Sequence, residues 1–94
     1  MTEEMETFRD LLDEEQIEWE DVSEFGSYPI CRTHFKYRGF KWSVIHGYGT
    51  YGGRDPLTNK DTGLLELMSN AVNDGDPVGW LTAEQAMDYV MGEE

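Results

Sequence analysis

The stretch that decides the fold runs Ile30-Cys31-Arg32-Thr33-His34-Phe35-Lys36-Tyr37-Arg38-Gly39-Phe40-Lys41-Trp42-Ser43-Val44-Ile45-His46-Gly47. Two runs rich in β-branched and aromatic residues, 30–37 and 40–47, flank Arg38-Gly39. A two-residue connection with glycine where a positive φ is useful is the signature of a β-hairpin. Closing the chain there sets the register: Tyr37 faces Phe40, Phe35 faces Trp42, Thr33 faces Val44 and Cys31 faces His46. Side chains alternate between the faces of a strand, so this row lies on one side, is mostly apolar, and is the expected core face. The opposite row pairs Lys36 with Lys41, His34 with Ser43 and Arg32 with Ile45. Two lysines directly opposed repel unless an anion lies beside them.

Upstream, Ile17-Glu18-Trp19-Glu20-Asp21-Val22 alternates and predicts a short strand. Ile17 and Trp19 would share one side, Glu18 and Glu20 the other. If that strand joins the hairpin, its two glutamates fall on the lysine face, an internal pairing that accounts for the basic patch without a nucleic-acid site. Before it, Met5, Phe8, Leu11 and Leu12 recur at helical spacing and predict a helix from Thr2 to about Glu15. Thr2 is positioned as N-cap, and Glu3, Glu4 and Glu6 suit the positive end of the helix dipole.

Downstream, Leu64, Leu65, Leu67, Met68, Ala71 and Val72 suggest a second helix, ended by the turn residues Asn73-Asp74-Gly75-Asp76-Pro77. Thr82-Ala83-Glu84-Gln85 is a capping box opening a third, with Ala86, Met87, Tyr89 and Val90 apolar. The expected fold is therefore α+β in a single domain, residues 1–94. It comprises an N-terminal helix, a three-stranded antiparallel sheet built on the hairpin, and two C-terminal helices on one face.

The chain has 94 residues, 38% of them hydrophobic and 13% aromatic, enough for one small core and against disorder. It carries one Cys and no apolar stretch of membrane-spanning length, and its first residues lack a signal-peptide pattern. These features point to a cytoplasmic protein without a disulfide framework. Its formal net charge is -13, which disfavours direct contact with nucleic acid or an anionic membrane and favours a basic partner. Solubility alone also accounts for an acidic surface. The charge is blocked: residues 1–24 carry a net of -10, residues 25–60 a net of +5 and residues 61–94 a net of -8.

Seven carboxylates, Asp13, Glu14, Glu15, Glu18, Glu20, Asp21 and Glu24, lie within twelve residues. Carboxylates spaced along a small rigid surface can imitate the phosphates of a duplex, which carries one charge per about 1.7 Å of axis. Acids at the C-terminal end of a helix also oppose its dipole, a local cost with no structural return. These seven form the candidate partner-binding face. A second candidate is the Tyr/Gly loop with Tyr48, Tyr51 and Arg54, together with Trp80, because tyrosine gives contact area at low entropy cost.

Other motifs have simpler readings. Gly47-x-Gly49-x-x-Gly52 matches a dinucleotide fingerprint, but Gly53-Arg54-Asp55-Pro56 follows where a helix should open. Cys31 opposite His46 invites a Cys–His nucleophile or half a zinc site, yet both lie on the expected core face and zinc-spaced partners are missing. Asn73-Asp74-Gly75-Asp76-Pro77 lacks the twelve-residue pattern of a calcium loop. No catalytic constellation, cofactor or metal is therefore expected, and the chain reads as a binding protein and not an enzyme.

The stretches Trp42-Ser43-Val44-Ile45, Gly63-Leu64-Leu65-Glu66-Leu67-Met68 and Gly79-Trp80-Leu81-Thr82-Ala83-Glu84 resemble small uncharacterised acidic proteins of Gram-positive phages and mobile elements. The likeness covers most of the chain but carries no functional motif. In general character the chain is also similar to anti-CRISPR and anti-restriction inhibitors. That resemblance implies binding, as a DNA mimic, to a basic nucleic-acid-binding protein such as a CRISPR effector nuclease of the host bacterial cell. An open sheet edge leaves room for a weak homodimer beside the monomer. The alternative is a regulatory or mobile-element interaction module that works through the Tyr/Gly loop without mimicry.

Overall fold

A computed structural model describes residues 3–23, 30–47 and 63–92. In chain order these form α1 (Glu3–Glu14), β1 (Trp19–Asp21), β2 (Ile30–Tyr37), β3 (Phe40–Gly47), β4 (Leu65–Ser69), β5 (Val78–Leu81) and α2 (Ala83–Met91), with a single 3-10 turn at Asn73–Gly75 before β5. The five strands make one antiparallel sheet in the order β1-β2-β3-β4-β5. Both helices lie on the same face of it, in one core with Phe35, Trp42, Val44, Leu65, Leu67 and Leu81.

The hairpin forms in the register expected from Arg38-Gly39, with Tyr37 opposite Phe40 and Cys31 opposite His46. Arg38 and Gly39 both take positive φ, 54° and 79°, as a twisted two-residue hairpin loop requires. The core face is buried at Thr33, Phe35, Trp42, Val44 and His46. At the hairpin tip it emerges from under the helices: Tyr37 is half-buried and Phe40 is 42% exposed. Phe35 stacks on Trp42 at 6.1 Å and meets Phe8 of α1 at 5.9 Å.

The α+β class holds, but the three-stranded sheet with two C-terminal helices does not. Residues 65–69 are a strand, not a helix, and 78–81 add a fifth strand. Leu65, Leu67 and Ser69 are buried while Met68 is exposed, the period-2 pattern of a strand. A helix would have put Leu64, Leu67 and Met68 on one face. The apolar run is also shorter than the ten or so residues that distinguish a helix, and β3 offers an open edge beside it. The turn chemistry at Asn73-Asp74-Gly75 is real, with Asp74 and Gly75 at φ 54° and 90°, but it joins two strands. The Thr2 N-cap position lies outside the described residues.

The C-terminal end of α1 and the N-terminal end of α2 are both tied down. Gln16, at φ 59°, ends α1 in a left-handed cap: Ile17 N–H donates to Leu12 O at 2.9 Å and Gln16 N–H to Asp13 O at 3.0 Å. That pair of bonds is a Schellman motif, closed by apolar Leu12 and Ile17, both buried. The expected capping box opens α2: Gln85 N–H donates to Thr82 Oγ1 at 3.2 Å and Thr82 N–H to Gln85 Oε1 at 2.9 Å. The Glu4 carboxylate also accepts from Ala83 N–H at 3.4 Å, joining α1 to the start of α2.

Leu67 is fully buried and Met68 is 46% exposed. Leu67→Ala is therefore expected to cost about 2–5 kcal/mol in urea unfolding, and Met68→Ala no more than about 0.5 kcal/mol. Equal costs would restore a helix at 64–72. Thr82→Ala, which removes the cap, should cost about 1 kcal/mol in the same assay.

Candidate functional site

The structure sorts the seven candidate carboxylates into three groups. Asp21 and Asp13 have internal duties. Asp21 ends β1 and accepts from Arg9 Nη2 at 3.2 Å, forming a salt bridge. It also accepts from the hydroxyl and, at 3.0 Å, the backbone N–H of Ser23. The Ser23 hydroxyl above all, then its N–H and Arg9, hold the Asp21 carboxyl below its ordinary value, against an opposing contribution from desolvation. Asp13 accepts from the indole N–H of Trp19 at 2.9 Å, which fastens the start of β1 to α1.

Glu14, Glu15, Glu18 and Glu20 are exposed. Glu14 ends α1 and Glu15 follows it. Glu20 stands in register opposite His34, and Glu18 lines the same cleft as Lys36 and Lys41. The expectation that β1 would bring its glutamates to the lysine face is met in placement. Glu24 lies outside the described residues, as do Tyr48, Tyr51 and Arg54 of the alternative loop. Of the glycine fingerprint only Gly47 is described, at the end of β3.

Three acids outside the candidate face, Glu3, Glu6 and Asp10, join Asp13 and Glu14 along α1. On α1, Glu3, Glu6, Asp10, Asp13 and Glu14 are all exposed. At 3.6 residues per turn they fall within an arc of about 100°, opposite the buried Met5, Phe8 and Leu12. From Glu3 through Glu6 and Asp10 to Asp13, successive carboxylates rise by about 4.5–6 Å, three or four residues at 1.5 Å each, and Glu14 follows one residue on. Their three- and four-residue spacing was visible in the sequence, overshadowed by the denser run that follows.

Arg9 shares the helix with this stripe but points inward and is 6% exposed. Its Nε donates to Thr33 Oγ1 at 2.7 Å and its Nη2 to Arg32 O at 3.3 Å, while the guanidinium lies 4.7 Å from the Trp19 ring centre. One base among the 24 residues most crowded with acid is thus spent inside the fold.

Trp80, the described member of the second candidate surface, is 46% exposed on β5 with φ 61°. It sits in a bulge: Leu65 pairs with Leu81 and Leu67 with Val78, so Gly79 and Trp80 together oppose Glu66. A bulky residue in the left-handed region carries strain of order 1–3 kcal/mol, and here it falls at the bulge. Cys31 and His46 are cross-strand neighbours as expected. The His46 ring donates from Nδ1 to Leu64 O at 2.7 Å, since a carbonyl only accepts, a bond that fastens the β3 end to the segment entering β4.

The face away from the helices holds a cleft of about 750 Å³ bounded by β1, β2, β3 and the β4 end. No helix among the described residues is long and apolar enough to cross a membrane. No protein-family model, curated protein or solved structure matches the chain.

Because the native Asp21 carboxyl is depressed, its contribution is present above the unfolded aspartate value of about 3.9 and is lost as pH falls through the lower native value. Melting temperature should therefore drop on acidification below about pH 4. Asp21→Asn should lower it at neutral pH and flatten that acid limb. Parallel pH profiles for the two proteins would show Asp21 uninvolved.

Proposed function

We propose that this protein binds a basic, nucleic-acid-binding partner and occupies the groove that would hold the nucleic acid, as an inhibitor of the anti-CRISPR DNA-mimic kind would. The observation that carries the reading is the division of labour among the acids. Asp13 and Asp21 hold α1 and β1 together. That junction leaves Glu14, Glu15, Glu18 and Glu20 exposed, with Glu14 continuing the α1 stripe of Glu3, Glu6 and Asp10 and with Glu18 and Glu20 on the β1 side. A helix with carboxylates every 4.5–6 Å or so offers charge at a spacing of the same order as one DNA strand, about 3.4 Å of axis per phosphate. Such a surface suits Arg- and Lys-lined channels, for example those of a CRISPR effector nuclease. The net charge of -13 speeds encounter with a cationic groove and repels nucleic acid itself.

Trp80 supports a second reading, a protein-interaction module without mimicry. A strained, exposed indole is the kind of apolar anchor that dominates salt-tolerant interfaces.

The two separate in a binding assay against a purified CRISPR effector nuclease across a salt series. Groove occupancy predicts affinity that falls steeply between 50 and 500 mM salt and competes with duplex DNA. The triple reversal Glu14→Lys/Glu18→Lys/Glu20→Lys should weaken it by about tenfold or more at low salt, mainly through the association rate. Asp21 is unsuitable for reversal because it is part of the fold. Binding indifferent to salt and abolished by Trp80→Ala would replace mimicry with the module reading.

A further inference from the structure

The hairpin sets Lys36 directly opposite Lys41 on the sheet face that neither helix covers. Cross-strand partners have Cβ atoms about 4.5–5.5 Å apart, and like charges so placed are destabilising. The chain has seven Lys and Arg against twenty Asp and Glu, so setting two of the seven against each other is costly placement. In the register, Glu20 opposes His34, and Glu18, one residue before β1, falls across from Lys36, but no strand carboxylate stands opposite Lys41. Among the described residues neither lysine has a carboxylate within salt-bridge distance. Both are exposed and line the cleft of about 750 Å³.

We propose that this cleft is a binding site for the phosphoryl group of a small organic phosphate. Lys36 and Lys41 supply the charge that a compact dianion needs, and its arrival between them converts their repulsion into attraction. His34 and Ser43, the next cross-strand pair on the same face, supply hydrogen-bond donors. Asn70, beyond the end of β4, closes the rim. Met68, paired with Ser43 and 46% exposed, offers an apolar contact for the organic part. Glu18 and Glu20 stand along the β1 side of the same cleft. They set its selectivity, because a long polyanion would run onto them and a single phosphoryl group does not. The site is separate from the α1 acidic stripe but shares Glu18 and Glu20 with the partner-binding face proposed above, so the lysine variants, which leave those glutamates unchanged, test it apart from that partner.

The test is an amide NMR titration of the full chain with sodium phosphate, and with phenyl phosphate, each against sodium chloride at equal ionic strength and pH. Saturable shifts confined to His34, Lys36, Lys41, Ser43 and their neighbours are expected. Affinity should fall at least tenfold in Lys36→Gln/Lys41→Gln and be largely kept in Lys36→Arg/Lys41→Arg. Tighter binding of phenyl phosphate assigns an organic ester, tighter binding of the inorganic ion free phosphate. Shifts that track ionic strength, never saturate, or persist unchanged in the glutamine variant would overturn the site. Should the glutamine variant not fold, the wild-type titration still decides, since a non-saturating response alone removes the proposal.

Discussion

The Arg9 guanidinium is the junction on which the rest of the molecule depends. From α1 it reaches Thr33 Oγ1 in the centre of β2, Asp21 at the end of β1, the Arg32 carbonyl and the Trp19 ring. Thr33 in turn lies 3.3 Å from Met5 Sδ, back on the same helix. A buried cation is expensive unless it is paired and hydrogen-bonded, and this one has a fork of planar donors to spread over several acceptors. The short edge strand β1, with three residues, has little ladder of its own to hold it. Its place against β2 depends on Arg9 and on the Trp19 indole bound to Asp13.

That junction sets the exposed acids at the edge where α1 meets β1. Fixing β1 to α1 turns the connection between them, with its left-handed Gln16 cap, into a rigid corner. Glu14, Glu15, Glu18 and Glu20 stand on or beside that corner, and the α1 stripe leads up to it. Carboxylates on a flexible tail would adapt to any cation; carboxylates on a fixed corner have a defined pattern, and a defined pattern is what recognition of a groove needs.

The hairpin was legible in the sequence because two local signals agreed: alternation along 30–47 and Arg38-Gly39 at its centre. Once the turn is known, the register of every pair follows, including the Lys36–Lys41 opposition. β4 was not legible in the same way. Leu64-Leu65-Glu66-Leu67-Met68 is apolar on nearly every residue, and leucine and methionine are good helix formers, so local preference pointed the wrong way. Burial on the free edge of β3 overrode it. β5 was hidden by its bulge, since Gly79 and Trp80 break the alternation that Val78 and Leu81 would otherwise show. The α1 cap was hidden too, because Gln16 takes a position usually marked by glycine.

The acidic face was legible as a run of charge but not as a surface. Sequence spacing alone does not distinguish Asp21, which faces Arg9, from Glu20, which faces the cleft; the alternation of β1 and its register with β2 do. Nor does it reveal that Asp13 is held by an indole six residues later.

A double-mutant cycle of Arg9→Met and Thr33→Val, both sites being buried, tests the central role of the Arg9 junction most directly. If Arg9 and Thr33 form one junction, the two losses of unfolding free energy are strongly non-additive, with a coupling of about 0.5–3 kcal/mol. Additivity to within about 0.3–0.5 kcal/mol would mean that Arg9 and Thr33 act independently, and that α1 and β1 are fastened to the sheet by something else.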